Sequence, residues 1–244
     1  MKCYTCNLAG IEISIIFRFP KTVTYYKGFL NPSTSNKYHI MIPTEEISYW
    51  QKRWAVPDPS YVEYVLSCSY ICDYLMSFDR IVFHGASFLW NDHAYIFSAP
   101  SGTGKTTQLM HWKSLYPNEI EIINGDKPIL EIRKTDSLEK IYVHSSPWKG
   151  KEEYGRDEIS APLAGIILLR QDNENHIEYI TPTVAARNLY GRIYSTFSTE
   201  EDVLKAAILL EKVLEITPVW LLKNKGDTDS AKLTRKVLLR GDSM

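Results

Sequence analysis

The stretch from Phe97 to Gln108, "FSAPSGTGKTTQ", decides how the chain is read. An apolar run, "YIFSA", leads into "PSGTG", and "KTTQLMHW" follows with helical character, so the expected local order is strand, glycine-rich turn, helix. In that setting backbone N–H groups converge on an anion while the following helix presents its positive end, and glycines permit the close approach. The turn ends as a phosphate-binding loop does, in Gly104-Lys105-Thr106, but Ala99 stands where the usual pattern begins with glycine. Alanine is small enough for a strand end. We therefore expect Ser101, Gly102, Thr103, Gly104, Lys105, Thr106 and Thr107 to hold the nucleotide phosphates of ATP. Lys105, read as an exposed loop lysine, would neutralise the β and γ phosphates, and the Thr106 hydroxyl would ligate Mg2+.

Two other segments join this loop. "IEIINGDKP" is an apolar strand ending at Asp126, where an enzyme of this kind places the carboxylate that holds magnesium or its waters. His84 in "IVFHGAS" closes the strand candidate before the loop and is expected at the same sheet edge. A third cluster, "SPWKGKEEYGR", gathers Lys149, Lys151, Glu152 and Arg156 in a polar loop that could bring cations to a transferring phosphoryl group or bind its acceptor; it also reads as a solvated charged loop.

Around these motifs the chain reads as α/β. Residues 1–56 are rich in β-branched and aromatic residues and predict a small, mostly antiparallel lobe, with a boundary near residue 60. Tyr61 to Phe78 predicts an amphipathic helix bridging from it. Residues 61–244 predict a nucleotide-binding core, with strands "IVF", "AYIFS", "IEIIN", "KPILEIR", "KIYVH" and "AGIILLR", helices near 183–197 and 200–215, strand "PVWLL" and a last helix from Asp227 to Leu239.

Composition bounds the partners. The 244 residues carry 28 basic and 29 acidic side chains for a net charge of −1, which gives no footprint for nucleic acid or an anionic membrane. No apolar run is long enough to cross a bilayer and no secretory signal precedes the lobe, so a cytoplasmic address is expected. Cys3, Cys6, Cys68 and Cys72 are expected to stay reduced, although two close pairs could also build a four-thiolate metal site.

"HGAS", "FSAPSGTGKTTQ", "INGDKP" and "SPWKGKE", in that order and at similar spacing, resemble the HPr kinase-like proteins, relatives of the HPr kinase/phosphorylase catalytic domain and, more distantly, of ATP-dependent phosphoenolpyruvate carboxykinase. The resemblance spans about residues 80–170, extends more weakly to the amino-terminal lobe, and touches the closing helices only in pattern. It implies a mixed-sheet core and ATP-dependent phosphorylation of a serine or threonine on a peptide or protein; several relatives look like tailoring enzymes for small modified peptides, including lasso peptides. A homo-oligomer is compatible with it. By position, His84, Lys105, Thr106 and Asp126 match family residues, and Asp126 matches the second of two adjacent acids. Gly125 occupies the place of the first, which leaves Asp126 and His84 as rivals for the proton-accepting role.

Other readings remain at this point. "NKGD", Asn224 to Asp227, follows a strand as the guanine-reading motif of GTP switches does, but no D-x-x-G accompanies it and Asp227 can cap the last helix. Phosphoenolpyruvate carboxykinase chemistry, a small-molecule phosphotransferase and a nucleotide-gated peptide-binding module are the others. The acceptor is expected to be an extended peptide, held by the lobe strands around "IEISIIFRF" and by the "SPWKGKEEYGR" loop.

Overall fold

The computed structural model describes residues 1–26, 28–34, 37–134, 138–150, 154–155 and 159–241. The chain divides into two compact units, one formed by Met1–Phe78 with Ser195–Asp202, the other by Asp79–Tyr194 with Val203–Met244.

In the first unit β1 (Lys2–Leu8) and β2 (Ile11–Phe17) form an antiparallel hairpin. β3 (Asn31–Ser33) flanks β1, and β4 (Ile40–Met41) runs parallel to β2, in the order β3-β1-β2-β4. Alternation in "IEISIIF" sends Ile13, Ile15 and Phe17 into the core. The expected antiparallel lobe departs from the structure at α1 (Thr44–Trp54), a helix with Glu45 and Glu46 in its first turn and Lys52 and Arg53 in its last. That charge order complements the helix dipole and outweighs the aromatic, strand-like composition of the segment.

The expected bridging helix is α2 (Pro59–Met76), which starts at Asp58, whose carboxylate accepts the Ser60 N–H, with Pro59 in the first turn. It belongs to the first unit. Buried Glu63 on α2 accepts the backbone N–H groups of Arg18 and Phe19 and the Thr22 hydroxyl, fixing the 3-10 turn of residues 20–26 to the helix. Asp73, one face further along, accepts the Ser195 hydroxyl and the Thr196 N–H, which ties the 195–202 segment to this unit.

The second unit is built on a large mixed sheet. Its elements are β5 (Arg80–Phe83), β6 (Ala86–Trp90), β7 (His93–Ser98), α3 (Lys105–Leu115), β8 (Ile120–Asn124), β9 (Ile129–Lys134), β10 (Glu139–His144) and β11 (Ser160–Gln171), followed by β12 (His176–Ile180), α4 (Pro182–Leu189), β13 (Ile193–Tyr194), α5 (Glu200–Ile216, whose first three residues fall in the first unit), β14 (Val219–Asn224) and α6 (Thr228–Gly241). The main path is β13-β5-β9-β10-β11-β7-β6-β8, and β14 joins β11 on its other side and carries β12.

The long strand β11 organises this sheet. Ser160 to Pro162 pair antiparallel with β10, whereas the apolar run beyond Leu163 lies between β7 and β14, both parallel to it. Strands covered on both faces need continuous apolar sequence, which "IILL" and the almost wholly buried β7 supply. α3 covers one face through Leu109 and Trp112, which pack among Phe88, Trp90 and Phe97 and, from α6, Ala231 and Leu238. β7, at the heart of the sheet, is thus a rigid base for the turn that follows it.

Two expectations for the carboxyl-terminal part are corrected. The helix expected over 183–197 ends at Leu189, turns through residues 190–192, and continues as β13, which pairs antiparallel with β5. Gly191 interrupts the helical pattern and Ile193 is worth more buried on the sheet than on an exposed turn of helix. Alternating "HIEYI", not read as a strand, is β12.

Candidate functional site

The glycine-rich turn joins β7 to α3, at the carboxyl end of a strand in the parallel part of the sheet. Gly102 and Gly104 have φ of 78° and 106°, a region that side-chain-bearing residues rarely adopt, which accounts for glycine at both positions. Ala99, the departure from the usual pattern, is buried in the apolar cluster beneath the turn, so its methyl group fills core space. Ser101 and Gly102 lie on the surface, Thr103 and Thr106 are half-buried, and Thr107 is exposed.

Lys105 corrects the expectation of an exposed side chain: only 8% of it is accessible. Its ammonium donates to the carbonyls of Ala99 at 3.0 Å and Pro100 at 3.4 Å. Burial lowers its pKa; the nearby carboxylate of Asp126 works against this, and the charges of Arg192 and Lys127 work with it. A lysine bent onto its own loop under a cationic field is one that an anion would attract outward.

Asp126 follows β8 and is placed by a buried asparagine. The Asn124 side-chain carbonyl accepts the N–H groups of Asp126 (2.9 Å) and Lys127 (2.7 Å), while its amide donates to the carbonyl and hydroxyl of Ser146. The Ser146 hydroxyl in turn donates to the Lys127 carbonyl. The Asp126 carboxylate stands 3.4 Å from His84 Nε2 and is paired with the Lys127 ammonium. Burial alone would push this carboxyl up, but the hydrogen bonds and charges of His84 and Lys127 outweigh it and hold the pKa at about 2.

His84 is fixed by the chain on either side of it. Its N–H donates to the Arg192 carbonyl (2.7 Å), its carbonyl accepts the Ser98 hydroxyl (2.9 Å), and Gly85 N–H donates to the Asp126 carbonyl (2.9 Å). The Tyr194 ring lies beside the imidazole and under the Lys127 ammonium. His84 and Asp126 are therefore brought together, and Lys105 lies within the electrostatic reach of Asp126.

Gly125, in place of a first acid, has a geometric reason. A Cβ there would meet the Lys149 carbonyl oxygen at 2.8 Å and the Tyr154 Cβ at 3.2 Å, while Gly125 N–H donates to the Tyr154 carbonyl. Lys149 and Tyr154 close over the position and leave no room for a carboxylate. Lys149 is half-buried and donates to the Gly155 carbonyl. Lys151, Glu152 and Arg156, expected to bind the acceptor, lie outside the described residues.

The guanine-reader segment has internal employment. Asp227 accepts the Ser230 N–H in the first turn of α6 and the Asn175 amide, and Asn224 is buried and donates to the Arg170 carbonyl. Among the described residues no cluster of three or more His, Cys, Asp or Glu could hold a metal, and Cys3, Cys6, Cys68 and Cys72 are free thiols. No helix of the described residues is long and apolar enough to cross a membrane. Among the lobe strands expected to hold an extended peptide, β2 is flanked by β1 and β4, and β3 and β4 are the outer strands of the sheet.

Asn124, Lys127, Ser146 and Arg192 are the residues the sequence reading missed. "NGD" carries a legible turn signal in its asparagine; the approach of Arg192 to the loop depends on β13 and has no local signature.

Fold and site together define a mixed α/β chain with a lysine-bearing, glycine-rich strand-to-helix turn beside a histidine–aspartate pair. Among solved structures, the Hpr(Ser) kinase/phosphatase from Coxiella burnetii is similar to it with a TM-score of 0.36 and 8% sequence identity, over 66% of this chain and 90% of that one. No protein-family model and no curated protein matches the chain.

Proposed function

We propose that this protein is an ATP-dependent kinase that transfers the γ-phosphate to the hydroxyl of a serine or threonine in a peptide or protein. The observation that carries the reading is the convergence of Lys105, in the turn after β7, with the His84–Asp126 pair held between β5 and β8. A cation for the transferring phosphoryl group and a group that takes a proton are the two things such chemistry requires.

In this reading the turn's N–H groups and Lys105 bind the phosphates. Asp126, a carboxylate held below the ordinary range by its neighbours, orients His84, and the imidazole takes the proton. With Nε2 turned to Asp126, Nδ1 is the ring nitrogen left for the acceptor hydroxyl. The acceptor oxygen forms a bond to the γ-phosphorus, the bond from that phosphorus to the β,γ-bridging oxygen breaks, ADP leaves, and the hydroxyl proton goes to His84. The Thr106 hydroxyl and the Asp126 carboxylate are hard oxygen donors of the kind magnesium takes together with water and phosphate, and the ion would supply charge neutralisation there.

The peptide acceptor rests on the motif resemblance. Against a GTP switch stands the internal use of Asn224 and Asp227. The closure over Gly125 favours one second reading, a nucleotide-binding module without transfer. The test is incubation with γ-labelled ATP, magnesium and serine- or threonine-containing peptides, followed by mass measurement. A gain of one phosphate on the peptide supports the kinase; nucleotide binding with no transfer to any hydroxyl supports the module.

A further inference from the structure

We propose that Arg192 is a phosphate-binding residue that grips the terminal phosphate of a nucleotide held by the glycine-rich turn; the proposal rests on the kinase reading and deepens it. A cleft of about 380 Å³ opens beside the glycine-rich turn. It is lined by Ala99, Pro100 and Thr103 of the turn together with Arg170 of β11, Asn188 of α4 and Arg192. Arg192 thus faces the same space as the loop, at the carboxyl end of the sheet's parallel strands, where open α/β sheets bind ligands.

Three features single out this arginine. Its Nε is buried and has no hydrogen-bond partner among the described residues. A buried donor left unpaired costs free energy, so the side chain gains by turning this donor onto an oxyanion in the cleft. Its positive charge is felt at Lys105, the lysine of the same turn. Its backbone is not free to wander: the Arg192 carbonyl accepts the His84 N–H, and the next two residues pair with β5. The guanidinium is therefore tied to the strand that carries the histidine, as a preorganised anion ligand should be.

Lys105 feels the Asp126 carboxylate and the charges of Arg192 and Lys127, and Lys127 is already paired with that carboxylate. The cationic excess falls to Lys105 and Arg192. A diphosphate satisfies the turn and Lys105; a third phosphate is the group that would reach the Arg192 fork in the cleft beside the turn. Arg192 is then what makes ATP preferred to ADP.

Calorimetric titration of the full chain with magnesium ATP, magnesium ADP and inorganic tripolyphosphate tests this, using wild type, Arg192→Gln and Arg192→Lys, with circular dichroism to confirm that each is folded. The expected result is about 10- to 100-fold weaker binding of ATP and tripolyphosphate by Arg192→Gln, about threefold or less change for ADP, and partial recovery in Arg192→Lys, which keeps charge without the bidentate fork. ATP affinity within twofold of wild type in either folded variant would overturn the inference and leave the kinase reading standing. Failure of the wild type to bind any of the three ligands would remove the kinase reading and the inference with it.

Discussion

Asp126 shows how one carboxylate can be fixed in charge and role by its neighbours. Its pKa is lowered from 3.8 to about 2, so its favourable pairing is complete above the ordinary carboxylate value and is lost as pH falls through about 2. The stability difference between wild type and Asp126→Asn should therefore shrink on acidification from about pH 5 towards about pH 2, as read from urea midpoints; a difference constant with pH would mean that the pair does not contribute. In catalysis Asp126→Asn is expected to lower turnover by several powers of ten, whereas His84→Ala should cost roughly 10²- to 10⁴-fold. Unchanged turnover in the histidine variant would return the proton-accepting role to Asp126.

At the scale of elements, the segment after β8 explains both what is present and what is missing. Asn124→Ala removes an acceptor from two backbone N–H groups and two partners from Ser146, and is expected to cost roughly 2–4 kcal/mol and displace Asp126. Gly125→Asp would restore the pair of acids in sequence only. The Lys149 carbonyl and Tyr154 occupy the space, so the variant should be destabilised with no gain in turnover; a stable, faster enzyme would show that the closure gives way. Much of this was legible: the strand, turn and helix around Lys105, the strand ending at Asp126 and the position of His84 follow from apolar runs and punctuation. The burial of Lys105, the contact of Gly125 with Lys149 and Tyr154 and the run of β13 beside β5 depend on segments distant in sequence, and no local pattern encodes them. α1 was missed for a different reason, because aromatic composition competed with a charge order that favours helix.

For the whole molecule, a near-neutral net charge conceals a concentrated cationic site, and that predicts a response to anions alone. Holding the buried Lys105 ammonium among other cations costs the ligand-free protein free energy, which bound phosphate would offset. A polyphosphate present at about 100 times its Kd should stabilise the folded state by about 2.7 kcal/mol, or roughly 5–10 °C for a chain of this size. Tryptophan fluorescence suits the measurement, since Trp90, Trp112, Trp148 and Trp220 lie in the unit that holds the site and only Trp50 and Trp54 lie in the other. Lys105→Met keeps the apolar stem and removes the charge, so its ligand-free Tm should be equal to or above that of wild type while the rise with tripolyphosphate is abolished. Rising salt should weaken the wild-type response, because the attraction is electrostatic. A Tm rise that survives in Lys105→Met would place the anion elsewhere on the protein and detach the glycine-rich turn from nucleotide binding.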